Sequence, residues 1–347
     1  MIRALFAGDV WLAPSLLKGS FGVNSSIRKI YNDIVYDLFI CNLEAPCKSS
    51  DMRSHRRAVL YTEPDLLDSL KIAKTNILTL ANNHMHDYGS SGLLKTIELC
   101  KKNGFLYVGA GKNLEEARKP LVIDICERKI AIMAYADTAS FVGAVAATKN
   151  EPGVAPLTTE IILEDISKVK EHVDDIWLFL HWGQEYIGRP MPEQRRISKV
   201  LSEGGATIIV GHHPHVLLGY ERIKKTDVYY SLGNFIFPDI PLQDNCTHKW
   251  GRDSRSSVAL CAIYENKSWE IERDNLYLNE NGIPEVDNRA ETKKLFDKKL
   301  KNIADPWYEK KYPLYYLFNK TGRHILRLTD IGKLCKDLIW RFRRKGA

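Results

Sequence analysis

Five short segments place acids, amides and imidazoles at the ends of apolar runs. Asp9 closes Leu5-Phe6-Ala7-Gly8, Glu44 follows Phe39-Ile40-Cys41-Asn42-Leu43, and Asn83-His84 follows Ile77-Leu78-Thr79-Leu80. His181 ends Leu178-Phe179-Leu180, and Gly211-His212-His213-Pro214-His215 follows Ile208-Ile209-Val210. Oxygen and nitrogen donors of these types suit one or two divalent ions such as Mn, Fe or Zn. Three histidines in four positions are seldom structural, because neighbouring neutral imidazoles need partners or a metal. In an extended segment residues two apart share a face, so His213 and His215 are expected to point one way and His212 the other. By the same rule Asn42 and Glu44 can both look into a crevice, and Glu44 could bridge two ions. Asn83 offers a carbonyl oxygen, and His84 could donate a proton to a leaving oxygen. Asp87 could fix the tautomer of His84 or cap the next helix. Plainer roles stand beside these: Asp9 as a turn residue, Glu44 as a surface acid, His181 as a satisfied core histidine, His86 as a bystander. The companions of each residue favour a site.

Competing chemistries lack their residues. A strained G-x-S-x-G elbow for serine catalysis is absent, as are the G-x-x-x-x-G-K-[ST] and G-x-G-x-x-G phosphate loops.

The elements that must position these residues follow from their pattern. Brief, β-branched apolar runs bounded by turn formers predict strands over 2–8, 38–42, 76–80, 121–125, 129–134, 176–182 and 207–211. Helices are predicted over about 26–36, 64–73, 90–103, 160–172 and 191–203, with Gly104 and Gly204-Gly205 at C-caps. Alternating strands and helices argue an α/β fold, whose sites lie outside the carboxyl ends of the strands. Residues 257–264 and 268–278 predict an antiparallel pair around the turn at Glu265-Asn266-Lys267. The small-residue loop 138–156 reads either as a function-bearing loop or as a surface excursion. A main domain is expected over 1–285, followed by a helical, basic extension over 286–347 in which Pro306 and Pro313 interrupt the pattern.

Bulk properties bound the class. The chain has 347 residues, 44% hydrophobic and 27% charged, as in ordinary globular proteins. It has no 18-residue apolar run, and the segment before Asp9 is too short for a signal peptide, so a cytoplasmic location is expected. Seven scattered cysteines without a CxxC pattern predict reduced thiols. The net charge of +7 resides in residues 320–347, which hold nine Lys or Arg and two Asp or Glu. Leu328, Ile331, Cys335, Leu338 and Phe342 form an apolar stripe there. That tail could dock on its own protein or touch anionic lipid at the inner face of the membrane. With no recognition motif beside it, nucleic-acid binding is not expected.

Taken in order, Ala7-Gly8-Asp9, Asn42-Leu43-Glu44-Ala45-Pro46, Ala81-Asn82-Asn83-His84 with Asp87-Tyr88-Gly89, Gly109-Ala110-Gly111, His181-Trp182-Gly183 with Glu185-Tyr186, Gly211-His212-His213-Pro214-His215 and Tyr230-Ser231-Leu232-Gly233-Asn234-Phe235 resemble the poly-γ-glutamate capsule synthesis family, the CapA-like proteins. The resemblance covers roughly residues 2–240 and places the chain among the calcineurin-like metallophosphoesterases. It implies a four-layer α-β-β-α sandwich with a two-metal site. By position it implies Asp9 and His215 as ligands of the first metal, Glu44 as the bridge, and Asn83, His181 and His213 as ligands of the second. His84 is implied as the imidazole beside the leaving group. The resemblance points to a metal-dependent hydrolase of phosphoesterase type, acting on an anionic phosphoester or polymer in capsule or other surface-polymer biosynthesis. The alternatives are a non-catalytic accessory or polymer-binding subunit of a poly-γ-glutamate-like assembly, and a metal-dependent amide hydrolase. The first motif departs from the usual Asp-x-His, since Asp9-Val10-Trp11 puts Trp in the His position, and Glu44 stands where many relatives carry Asp.

Overall fold

A computed structural model describes residues 1–31, 34–51, 58–139, 142–242, 244–289, 293–294, 297 and 308–321. The basic tail beyond residue 321, with its apolar stripe, lies outside the described residues. The first half of the chain runs β1 (Ile2–Val10), α1 (Ser20–Tyr31), β2 (Tyr36–Leu43), β3 (Ala73–Thr79), α2 (Gly89–Lys102), β4 (Leu106–Val108), β5 (Ala110–Gly111), α3 (Leu114–Ala117), β6 (Leu121–Ile125), β7 (Arg128–Ala136), β8 (Gly153–Val154) and α4 (Thr159–Val169). The second half runs β9 (Asp175–His181), α5 (Pro192–Gly204), β10 (Ile208–His212), β11 (Tyr220–Ile223), β12 (Thr226–Tyr229), β13 (Asn234–Ile236), β14 (Ile240–Pro241), β15 (Thr247–His248), α6 (Arg252–Arg255), β16 (Ser256–Glu265), β17 (Ser268–Leu278) and β18 (Pro284–Val286).

Two sheets dominate. The first has the order β18-β17-β16-β1-β2-β3-β4, with β13 also pairing β1; the second has the order β11-β12-β10-β9-β7-β6. In the first sheet β1, β2, β3 and β4 run parallel, and in the second β7, β9, β10 and β12 do. Parallel strands need crossovers, which α2, α4 and α5 help to supply.

Alternation along the strands builds the layers. Trp177 and Phe179 of β9 meet Phe6 of β1 edge-on at 5.0 and 5.8 Å, so these rings fill the space between the sheets. Leu178 and Leu180 face the other way and share a core with Ile162 and Ile166 of α4 and Leu201 of α5. On the first sheet Leu5 pairs with Phe39, one step from the inward Phe6. Phe39 packs on Phe235, which meets Tyr31 of α1. The result is the four-layer α-β-β-α sandwich. Each fully buried Phe or Leu in these layers contributes about 1.5–3 kcal/mol.

Several elements depart from expectation. The helix expected at 26–36 spans Ser20–Tyr31, because β2 already begins at Tyr36. The segment expected as a helix over 64–73 is a 3-10 helix, Pro64–Leu70, with Pro64 at its start and β3 taking over at Ala73. Residues 142–156 fold back: Ala110 of β5 pairs with Val154, Gly111 with Gly153, and a Cβ on Gly153 would lie 2.2 Å from the Ala147 nitrogen. The small residues of this loop thus allow close backbone packing.

The chain divides into two units, Met1–Ile303 and Ala304–Ala347. Within the first unit the Asp287 backbone nitrogen donates to the Asn275 carbonyl, and its carboxylate pairs with Arg289, which lies over Tyr277. Within the second unit a helix, α7 (Tyr308–Thr321), runs through Pro313. The described cysteines, six in all, are free. Among the described residues no helix is long and apolar enough to cross a membrane.

Candidate metal centre

The strand ends bring two rows of side chains face to face. In the first sheet Asp9 pairs in register with Asn42 on one side and Asn234 on the other, and Asn42 pairs with Thr79. In the second sheet His212 pairs with His181, and His181 with Ala136. A register shift between Phe6 and Asp9 changes the side-chain parity of β1, which lets Asp9 face the opposite sheet as Phe6 does. Gly8 permits this, since a Cβ there would lie 1.9 Å from the Gly233 carbonyl oxygen. In β10, which keeps its register, Gly211 allows a similarly close crossing: a Cβ there would meet the Tyr230 carbonyl oxygen at 2.0 Å.

His212 faces inward, which corrects the expectation that it points away. Its Nδ1 lies 3.0 Å from Asp9 Oδ1, and its ring stacks on Phe179. The segment is not extended beyond His212: His213 and His215 have φ of 95° and 54°, left-handed conformations that carry strain in residues other than glycine. The turn gathers all three imidazoles at the centre instead of alternating them.

Glu44 is fully buried in the middle. Its Oε1 lies 3.5 Å from His215 Nε2 and 3.8 Å from His181 Nε2. Two ligand groups share it: Glu44, His181 and His213 form one, and Asp9, Glu44 and His215 the other, each with atoms within 4.8 Å of one another. Asn83 Oδ1 approaches His181 Nε2 at 2.9 Å and so borders the first of these groups. His84 is buried beside them, with Nδ1 2.6 Å from Asp87 Oδ2, and the same oxygen accepts the Leu60 N–H at 2.8 Å. Asn42 Nδ2 donates to Asp9 Oδ1 at 2.8 Å and to Glu44 Oε2 at 3.3 Å, tying the two carboxylates together.

The residues fit a divalent cation pair. Glu44 Oε1, His212 Nε2 and both ring nitrogens of His213 are buried without a hydrogen-bond partner. A buried polar atom left so costs about 1–3 kcal/mol, and metal coordination removes that cost. Burial, joined by the charges of Asp9, Glu185 and Asp87, pushes the Glu44 carboxyl well above its usual range. Burial and the neighbouring histidines hold His181 well below its usual value, and burial brings His213 down to about 4. Burial raises the Asp9 carboxyl, but the His212 hydrogen bond and the His212 and His215 charges outweigh it, so its pKa falls. Neutral imidazoles beside carboxylates that need a positive neighbour are the donor states a divalent ion takes.

Trp11 contributes no nitrogen to this set. Its Nε1 donates to the Tyr61 carbonyl at 2.9 Å, and its ring packs on Phe237 in a small cluster with Trp250 and Leu60. Sequence reasoning passed over His212 and the positions of Asn234 and Glu185. Burial raises the Glu185 carboxyl, but the charges of His213, His215, His84 and His248 overcome it and place that acid beside the centre. The rim also holds Tyr186, stacked on His248 at 5.6 Å, and Trp250, 5.2 Å from His215. Asn234 was within reach of the strand-end logic, since it follows Gly233 at the head of a buried strand.

Fold and centre together define a four-layer α/β protein with a candidate two-cation site at facing strand ends. Residues 3–239 match the family described as "Bacterial capsule synthesis protein PGA_cap", and the chain belongs to that family. It is 35% identical over 204 residues to the capsule biosynthesis protein CapA of Bacillus anthracis, covering 56% of this chain and 49% of that one. It is 34% identical over 249 residues to the PGA biosynthesis protein CapA of Bacillus subtilis (strain 168), covering 68% and 63%. The chain thus spans about half to just under two thirds of the length of these relatives. Among solved structures, the calcineurin-like phosphoesterase YfkN from Bacillus subtilis aligns at 14% identity with a TM-score of 0.43, over 88% of this chain and 99% of that one.

Proposed function

We propose that this protein is a metal-dependent hydrolase of phosphoesterase type, acting on an anionic phosphoester in the building of a capsule or other surface polymer. The observation that carries this reading is the buried Glu44 Oε1, without a hydrogen bond and shared between two ligand groups. Asp9, Glu44 and His215 would hold one Mn, Fe or Zn ion, and Glu44, Asn83, His181 and His213 a second. When bound, such ions supply Lewis acidity to phosphoryl oxygens and acidify water towards a pKa of about 7. The chain's own residues supply the rest. Asn42 links the buried Asp9 and Glu44 carboxylates by donating to both. Asp87 anchors Nδ1 of His84, which leaves Nε2 to hand a proton to the departing oxygen. The relatives' names support the surface-polymer context.

One observation favours a second reading, a non-catalytic accessory subunit that grips an anionic polymer. Trp11, whose Nε1 donates to the Tyr61 carbonyl, supplies no ligand to the group of Asp9, Glu44 and His215. Metal content of protein purified without chelator, followed by turnover of p-nitrophenyl and bis-p-nitrophenyl phosphate with Mn²⁺, separates the two. About two ions per chain with turnover, abolished in Asn83→Ala and His213→Ala, supports the hydrolase. Bound metal without turnover of any phosphoester moves the assignment to the accessory role, with amide substrates tried next.

A further inference from the structure

We propose that Asn234 is the positioning residue that sets the tautomer of His215, and so decides which of its nitrogens is open towards Glu44. Asn234 is fully buried at the start of β13, in register with Asp9 on the neighbouring strand. Its Oδ1 lies 2.8 Å from His215 Nδ1, while the other ring nitrogen, Nε2, lies 3.5 Å from Glu44 Oε1. The amide itself is oriented from behind: its Nδ2 donates to the Ser254 carbonyl at 3.2 Å. Turning the amide over would set a carbonyl oxygen against Ser254 and an NH₂ against the imidazole. Oδ1 is therefore an acceptor and the Nδ1 of His215 must carry a proton, so that in the neutral ring the lone pair is on Nε2. Asp9 Oδ2 is farther from Nδ1, at 3.6 Å, and does not compete. Phe237 and Trp250 pack on the ring at 5.0 and 5.2 Å and restrict its rotation, so the tautomer rather than a ring flip is what Asn234 controls.

The consequence for cation binding rests on the metal-centre reading; the tautomer does not. An outer partner that fixes a ligating imidazole is typically worth a 10–100-fold change in metal affinity. Three proteins test the proposal: the full-length wild type, Asn234→Leu, which keeps the volume without an acceptor, and Asn234→Asp, which keeps the acceptor. ¹⁵N-histidine NMR of the metal-free wild type, with His215 assigned from a His215→Gln spectrum, is expected to show the proton on Nδ1. Asn234→Leu is expected to lose that preference and to bind one of two Mn²⁺ equivalents 10–100-fold more weakly by calorimetry, the other unchanged. Asn234→Asp is expected to restore both. A wild-type His215 protonated on Nε2, or an Asn234→Leu protein with both Mn²⁺ affinities intact, overturns the proposal. Should Asn234→Leu fail to fold, the wild-type tautomer and the Asp variant decide. A wild type with the Nδ1 proton that takes no Mn²⁺ leaves the tautomer assignment standing and removes the metal-centre reading instead.

Discussion

Oxygen atoms hold the Nδ1 of three histidines at the centre: His84 on Asp87, His212 on Asp9 and His215 on Asn234. For His84 the partner is a carboxylate oxygen at 2.6 Å, which orients the ring. The proposed role of His84 as a proton donor predicts a dependence on the leaving group. His84→Ala should slow hydrolysis of an alkyl phosphoester by about 10²–10⁴, the usual worth of general acid catalysis. A p-nitrophenolate departs without a proton, so the same variant should lose much less on p-nitrophenyl phosphate. Equal losses on both substrates, measured as kcat, would assign His84 to binding rather than proton transfer. At this scale the sequence made the donors legible and left their partners obscure. Asp9, Glu44 and His181 stand at the ends of apolar runs, a pattern readable by eye. The His212–Asp9 contact joins residues 203 positions apart, and the left-handed turn that follows at His213 and His215 is one that composition does not announce.

Strand ends aim these residues, and two close backbone crossings fix the strand ends. Gly8 lies against the Gly233 carbonyl and Gly211 against the Tyr230 carbonyl, in each case with room for hydrogen only. Gly8→Ala should therefore push β13 away from β1, at a cost of about 1–3 kcal/mol or more in urea unfolding. Because Asp9 and Asn234 flank that crossing, the same change should weaken metal uptake. A Gly8→Ala protein with wild-type stability and metal content would show that the two strands can part without consequence. Most central strands were readable because parallel strands buried on both faces become unbroken apolar runs, as in Trp177-Leu178-Phe179-Leu180. The elements misread were those decided by tertiary packing. Pro64–Leu70 carries apolar residues at helical spacing but tightens to a 3-10 helix before β3, and α1 ends early to release β2.

The whole molecule encloses a cluster of ionisable groups that is costly when bare, and this links stability to both pH and metal. His213 has a folded-state pKa of about 4 against an ordinary 6.5. Its neutral form therefore contributes stability that is complete above pH 6.5 and lost as pH falls towards 4. His181 has the same sign, with burial again the leading cause. Glu44 has the opposite sign: its raised folded pKa contributes stability below 4.5 that is lost as pH rises through the folded value. The chelated protein is thus penalised from both sides, by imidazole protonation as pH falls and by ionisation of the buried Glu44 carboxyl as pH rises. A divalent cation needs neutral imidazoles and an ionised Glu44, so it cancels the neutral-side penalty and does nothing for the acid side. The rise in Tm on adding Mn²⁺ to chelator-treated protein should then be greatest at pH 6.5 and above, and should shrink towards zero near pH 4. Binding at a hundred times Kd contributes about 2.7 kcal/mol per site, enough for a shift of several degrees. Thermal melts across that pH range, with Mn²⁺ and with EDTA, measure it directly. Coincident melts at pH 7.5 would mean that the buried cluster stands without a cation, and would leave Glu44 Oε1 as a cost that the rest of the sandwich absorbs.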